Sequence, residues 1–84
     1  MTRTVIAKWR RNAREEIAIA FDRYQGVDTI DLRCWYEDAD GEKKPGKTGI
    51  ALAISRHLEP LAAALNAALA TAHQRGLLTR GGGK

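Results

Sequence analysis

Two hydrophobic periodicities, met in a fixed order along the chain, constrain its fold more than any other feature. Apolar residues alternate with polar or small ones in three segments, 16–22, 29–36 and 49–53. A period of two predicts half-buried β-strands in these segments. The intervening segment 42–47 contains Pro45 and is therefore predicted to be an edge strand or a loop.

The last third of the chain predicts one helix. Residues 61–72 contain seven alanines, and alanine is the best helix former. Leucines recur at helical spacing and form one apolar stripe: Leu58, Leu61, Leu65 and Leu69. Proline is tolerated in a first turn, so we expect the helix to begin near Pro60 and to end near Gly76. Strands followed by a single helix predict an α+β fold with an antiparallel sheet.

The size of the chain permits one domain with a thin core. Its 84 residues bury too little surface for a large core, and such domains often gain stability by pairing with a second copy. Cys34 is the single cysteine, which excludes an internal disulfide and is typical of a reducing compartment. The first residues contain no apolar stretch long enough for a signal peptide, and no segment approaches the roughly 20 apolar residues that span a bilayer. We expect a cytoplasmic protein, associated with the nucleoid if it is bacterial.

The positive charge is segregated, although the net charge is only +4. Residues 1–14 carry five basic residues and no acid, residues 15–42 carry nine acids and two bases, and residues 43–84 carry seven bases and one acid. Segregated positive charge attracts a polyanion better than its net value suggests. We interpret 1–14 as a basic arm, 15–76 as the folded domain and 77–84 as a flexible tail. The simpler alternative is ordinary solubilising charge.

Residues 41–48 match the phosphate-loop pattern G-x-x-x-x-G-K-[ST]. That loop binds phosphate when it follows a strand of a parallel sheet and opens a helix. Here the hairpin dipeptide Asp40-Gly41 precedes it, and a predicted strand follows it. A nucleotide-binding function is therefore kept only as an unfavoured alternative. Cys34, His57 and His73 lack the paired spacing of zinc ligands, and we expect no metal, no cofactor and no catalysis.

An aromatic and basic surface is the stronger candidate site. Alternation places Arg33 and Trp35 on the same face of one strand, with Tyr24 at the neighbouring turn. Three lysines lie in the loop opposite: Lys43, Lys44 and Lys47. Aromatic rings stack unpaired bases at roughly 1–3 kcal/mol each, and cations hold the phosphates. This combination predicts binding of single-stranded nucleic acid. The alternative is a protein-interaction module, in which Trp35 and Tyr36 pack against a partner protein.

Asn-Ala-Arg-Glu-Glu-Ile at 12–17 is similar to the bacterial stand-alone members of the transcriptional coactivator PC4 (p15) family, and several further segments together resemble the C-terminal domain of that family. They are Ile-Asp-Leu-Arg at 30–33, Trp-Tyr-Glu-Asp at 35–38, Gly-Glu at 41–42, Lys-Pro-Gly-Lys at 44–47 and Gly-Ile at 49–50. The resemblance spans about residues 12–72. It implies a four-stranded antiparallel sheet followed by one C-terminal helix, assembled as a homodimer that binds single-stranded DNA and, in some bacterial members, RNA. It brings neither catalysis nor a cofactor. A function in transcription or DNA maintenance, with the transcription machinery as a further partner, follows as an expectation.

The resemblance also implies roles for individual residues. By position it assigns base stacking to Tyr24 and Tyr36, while strict alternation turns Trp35 outward with Arg33 and Tyr36 inward with Cys34. A bulge near Cys34 would reconcile the two, so both rings stay candidates. The candidate nucleic-acid-binding residues are Arg10, Arg11, Arg14, Tyr24, Arg33, Trp35, Tyr36, Lys43, Lys44 and Lys47.

Overall fold

A computed structural model describes residues 3–78 as one sheet and one helix. The elements are β1 (Thr4–Arg10), β2 (Glu15–Tyr24), β3 (Val27–Glu37), β4 (Lys43–Ala53) and α1 (Ile54–Gln74). All neighbouring strands are antiparallel, in the order β1-β2-β3-β4. The expected α+β fold, a four-stranded antiparallel sheet followed by one C-terminal helix, is confirmed. Residues 1–2 of the predicted arm and 79–84 of the predicted tail lie outside the described residues.

The first strand corrects the interpretation of residues 1–14 as an arm. Residues 4–10 pair with β2, from Thr4 opposite Phe21 to Arg10 opposite Glu16, with a register shift between Val5 and Ala7. Every residue of β1 is exposed. Because neither face of this strand is buried, its sequence carries no clear alternation, and the periodicity does not reveal it.

The last strand is continuous across Pro45, at the edge of the sheet. Arg33 pairs with Gly49 and Trp35 pairs with Pro45, so the three residues 46–48 bulge out of β4 opposite Cys34 alone. A Cβ on Gly46 would lie 2.7 Å from the carbonyl oxygen of Cys34, which is why glycine is needed there. The edge position and the bulge together accommodate a proline.

The sheet has two chemically different faces. Consecutive strand residues point to opposite sides, and directly paired residues share a side. One side, the polar face, carries Ala18, Ala20, Asp31, Arg33 and Trp35; the other carries Ile17, Ile19, Ile30, Leu32 and Cys34. Cys34 is buried, as its position among apolar residues predicts. In the described part, the buried apolar residues are Ala18, Ala20, Ile30 and Cys34, which makes a thin core.

The helix begins earlier than predicted and ends where predicted. It starts at Ile54 directly after β4, so Pro60 lies inside it and deprives it of one backbone hydrogen bond. The prediction of a start near Pro60 was wrong because half-buried residues of the first turns pack on β3 and β4, an interaction that local propensity does not contain. At the other end, Gly76 has φ 68°. Its N–H donates to His73 O (3.1 Å) and Leu77 N–H donates to Ala72 O (2.9 Å), which is a Schellman motif.

The described part of the chain is flat, with extents of 41 × 37 × 17 Å. Its helix has no buried residue, and Leu65 and Leu69 of the predicted stripe are 54% and 51% exposed. No helix within residues 3–78 has both the length and the apolar character needed to cross a bilayer.

Candidate nucleic-acid interface

A buried carboxylate organises the polar face. Asp31 is 5% exposed and is the one buried charged residue in the described part of the chain. It accepts hydrogen bonds from Arg33 Nη2 at 2.9 Å and Nε at 3.2 Å, and from Arg3 Nη2 at 3.3 Å. The hydrogen bond with Asp31 raises the pKa of Arg33 above its ordinary value. Arg33 is therefore held in place and stays positively charged.

Arg3 is a member of this cluster that the sequence did not reveal. Its guanidinium carbon lies 4.9 Å from the centroid of the Trp35 ring, within the range of a cation–π interaction. It also forms ion pairs with Asp22 at 3.6 Å and Asp31 at 3.3 Å. Only the pairing of β1 with β2 brings Arg3 to these residues, and nothing in the local sequence signals that pairing.

A groove of about 480 Å³ crosses the polar face and gathers four of the predicted site residues. They are Tyr24, Arg33, Trp35 and Lys47, accompanied along the wall by Arg3 and Asp31. Tyr24 is 68% exposed, so its ring is accessible to a ligand. Trp35 is half-buried and shares the face of Arg33, as strict alternation predicts.

Tyr36 lies away from this groove. It pairs with Glu15 and Lys44 and is 40% exposed. It lines a separate depression beside Arg14 and the turn between β1 and β2. A bulge is present opposite Cys34, but it lies in β4 and not in β3, where it would have to lie to bring both rings to one face. Because the β2–β3 register is unbroken, that bulge does not turn Tyr36 over.

Three other predicted cations already form contacts with acidic side chains or with Cys34. Lys43 Nζ lies 2.7 Å from Glu16 Oε2 and Lys44 Nζ lies 3.2 Å from Asp38 Oδ2. The hydrogen bond from Lys43 lowers the pKa of Glu16. Arg11 contacts Glu15 at 3.5 Å and Cys34 Sγ at 3.6 Å.

Three candidate cations have no ion pair within residues 3–78: Arg10, Arg14 and Lys47. Arg10 Nη1 donates to the Ala13 carbonyl oxygen at 2.9 Å, which secures the turn between β1 and β2. Lys47 is exposed and lines the groove beside Tyr24, Arg33 and Trp35. Of the three, Lys47 is therefore the one placed to meet a ligand in the groove.

Residues 41–48 do not form a phosphate loop. Lys47 and Thr48 lie inside β4, which continues to Ala53, and the sheet is antiparallel. Gly46 serves the close approach to Cys34 described above. The strand–loop–helix context that a phosphate loop requires is therefore replaced by an edge strand.

Comparisons with known proteins agree with this architecture. The family profile of Transcriptional Coactivator p15 (PC4) matches residues 11–57. A PC4 homolog from Burkholderia pseudomallei is similar in its tetragonal crystal form with a TM-score of 0.65 and 25% identity, covering 80% of this chain and 98% of that one. The orthorhombic crystal form of the same homolog is similar with a TM-score of 0.63 and 26% identity, covering 77% of this chain and 88% of that one.

A bacteriophage T5 homolog of the eukaryotic coactivator PC4, described as implicated in recombination-dependent DNA replication, shares the fold. Its TM-score is 0.63 at 19% identity, covering 93% of this chain and 85% of that one. No curated protein sequence matches the chain. The profile match over more than half of the chain and the agreement in fold place this protein in the Transcriptional Coactivator p15 (PC4) family.

Proposed function

We propose that this protein binds single-stranded DNA, without catalysis and with tolerance of sequence, through the groove of the polar face. The observation that carries the proposal is the convergence of Tyr24, Trp35, Arg33 and Lys47 on that groove. Aromatic rings beside cations are the combination that holds unpaired bases and their phosphates. Family membership supports a DNA-binding role of the PC4 type.

The rings and cations of the groove have different tasks in this proposal. Tyr24 is largely exposed and stacks a base. Trp35 is half-buried under Arg3 and forms the floor of the groove. Lys47 has no ion pair within the described part of the chain and neutralises phosphate, together with Arg33. Duplex DNA hides its base faces inside the helix, so single strands bind better. The same chemistry accepts RNA.

A homodimer is the second part of the proposal. One protomer leaves Leu65, Leu69 and Ile50 exposed by more than half, and a flat sheet with one helix cannot cover them. A large exposed apolar patch marks an association surface, and we propose that these side chains belong to one. A second copy is the occupant that explains how so thin a domain is stable.

Membership of the family supports a proposal for the cellular role. We propose an intracellular protein acting in transcription regulation or DNA maintenance, with the transcription machinery as a further partner. An interaction module is a second candidate, because Trp9 and Tyr36 are exposed outside the groove. In that case, replacing Tyr36 abolishes capture of the protein partner and leaves oligonucleotide binding intact.

A titration tests the main proposal. Single-stranded and duplex oligonucleotides of the same length are titrated at two salt concentrations, with fluorescence anisotropy as the readout. We expect tighter binding of single strands, little dependence on sequence and weaker binding at the higher salt concentration. Equal affinity for duplex and single strand would contradict base stacking and leave only nonspecific attraction.

A further inference from the structure

We infer that Asp31 is a positioning residue for phosphate binding: it holds Arg33 in the one conformation that presents its remaining N–H groups to a nucleic-acid phosphate. The inference rests on the proposed function and adds a component that no pattern of positive charge would identify. An acid in a nucleic-acid groove ordinarily opposes binding, because it repels phosphate. The geometry assigns this acid the opposite effect.

The hydrogen bonds of Arg33 leave part of its guanidinium available. The group carries five N–H donors. The Nε donor and one Nη2 donor bind Asp31, and one Nη1 donor binds the carbonyl oxygen of Gly46 at 3.1 Å. The two remaining donors, one on each terminal nitrogen, are not used by these hydrogen bonds. A planar guanidinium fixed in this way matches the geometry of phosphate oxygens.

The path of the Arg33 side chain is fixed by its neighbours as well. Ala18 and Gly49 are its paired residues on the adjacent strands. A Cβ on Gly49 would lie 2.9 Å from Arg33 Cγ. The Arg33 side chain therefore occupies the space that any side chain at position 49 would need. Asp31 is flanked in the same way by Ala20 and Ala51. Small residues therefore give the two charged side chains room to lie flat on the sheet.

Charge alone and positioning predict opposite results for the same substitution. Asp31→Asn removes a negative charge from the groove wall, so a purely electrostatic groove would bind single strands more tightly and with a steeper salt dependence. If Asp31 positions Arg33, the substitution lets the Arg33 side chain adopt other rotamers, and its free N–H groups are no longer directed at a phosphate. We then expect binding about tenfold weaker, the scale of a restored side-chain entropy, and a salt slope flatter by about 0.7.

The experiment compares Asp31→Asn with Asp40→Asn in the full chain, using a single-stranded oligonucleotide over a salt series. Asp40 is exposed on the turn between β3 and β4, so its substitution makes the same change of charge away from Arg33. We expect Asp40→Asn to bind at least as tightly as the wild type, and Asp31→Asn to bind more weakly. Thermal unfolding of each variant reports whether it is folded.

Two further variants separate positioning from general loss of structure. In an Arg33→Gln background, Asp31→Asn is expected not to weaken binding, because the Arg33 guanidinium that Asp31 positions is absent and only a negative charge is removed. Arg33→Lys keeps the charge and the buried carboxylate but lacks the planar fork. We expect about tenfold weaker binding from it, which tests the inference even if Asp31→Asn does not fold.

Binding by Asp31→Asn that is as tight as or tighter than binding by Asp40→Asn would overturn the inference and leave the proposed function standing. Wild-type affinity of the Arg33→Lys variant would also overturn the inference. So would a loss of affinity from Asp31→Asn that is equally large in the wild-type and the Arg33→Gln backgrounds. Absence of single-strand binding by the wild type would overturn the proposed function, and the inference with it.

Discussion

The guanidinium of Arg3 covers the ring of Trp35, at 4.9 Å from guanidinium carbon to ring centroid. This interaction joins the residue that precedes β1 to the second half of β3 and covers the Trp35 ring on the polar face. Segment 4–10 is part of the folded sheet through its pairing with β2, and Arg3, which precedes it, lines the candidate groove together with Trp35.

Replacing Arg3 is expected to lower stability. Arg3→Ala removes the cation–π interaction, worth about 0.5–1 kcal/mol at a partly exposed site, and one of the two guanidinium partners of Asp31. We expect the free energy of unfolding to fall by about 1 kcal/mol, measured by urea denaturation. Arg3→Lys, which keeps the charge, should lose less. An unchanged unfolding curve for Arg3→Ala would show that the contacts of Arg3 with Trp35 and Asp31 contribute nothing to stability in solution.

Tyr24 tests stacking with little risk to the fold, because its side chain is largely exposed. Tyr24→Ala is expected to weaken single-strand binding by about 1–3 kcal/mol, roughly tenfold to a hundredfold. The salt slope should stay the same, since no charge is removed. Tyr24→Phe is the matched control, because it keeps the ring and should keep the affinity. Equal binding by the alanine variant and the wild type would remove Tyr24 from the site.

Lys47 distinguishes a phosphate-binding lysine on a strand from a phosphate-loop lysine. Lys47→Ala is expected to flatten the salt slope for single-stranded DNA by about 0.7 for each phosphate that the side chain neutralises in the wild type, while Lys47→Arg keeps most of the slope. ATP binding, followed by calorimetry, should be undetectable for both variants and the wild type. Saturable ATP binding by the wild type that Lys47→Ala abolishes would support the nucleotide-binding alternative.

The leucine stripe tests the proposed homodimer. Leu65→Glu combined with Leu69→Glu puts two charges on the exposed apolar face of α1, and desolvating them in an interface is costly. We expect light scattering to report a dimer for the wild type and a monomer for the double variant. Ala63→Glu, about half a helical turn away from the stripe, should stay dimeric. A monomeric wild type at micromolar concentration would contradict the proposal.

The ion pair between Glu16 and Lys43 predicts a pH dependence of stability. The hydrogen bond from Lys43 keeps the pKa of Glu16 below its ordinary value of 4.5. A carboxylate whose pKa is lowered by folding stabilises the protein above the unfolded pKa, and this contribution disappears as pH falls through the folded pKa. The wild type should therefore lose stability below pH 4.5 faster than Glu16→Gln. Parallel pH profiles in urea denaturation would show that the pair contributes nothing.

Local pattern was sufficient for part of the fold and of the site. The alternation through β2 and β3 arises because one face of each strand is apolar, and it correctly placed Trp35 beside Arg33. The helix end at Gly76 was predictable because a positive φ favours glycine. The family resemblance correctly implied that the sheet has four strands. It did not identify segment 4–10 as one of them, and that segment was interpreted as an arm.

Long-range pairing decided the rest. A strand exposed on both faces has no periodic pattern of apolar residues, so β1 can be identified only from its pairing with β2. The register of that pairing also places Arg3 next to Asp31 and Trp35. The bulge in β4 depends on how residues 46–48 meet Cys34 across the sheet, and the unbroken β2–β3 register keeps Tyr36 out of the groove. The sequence by itself determined which side chains alternate and where the helix stops, because those depend on neighbours in the chain. Which cations and rings meet depended on strand register, which is a property of the tertiary structure.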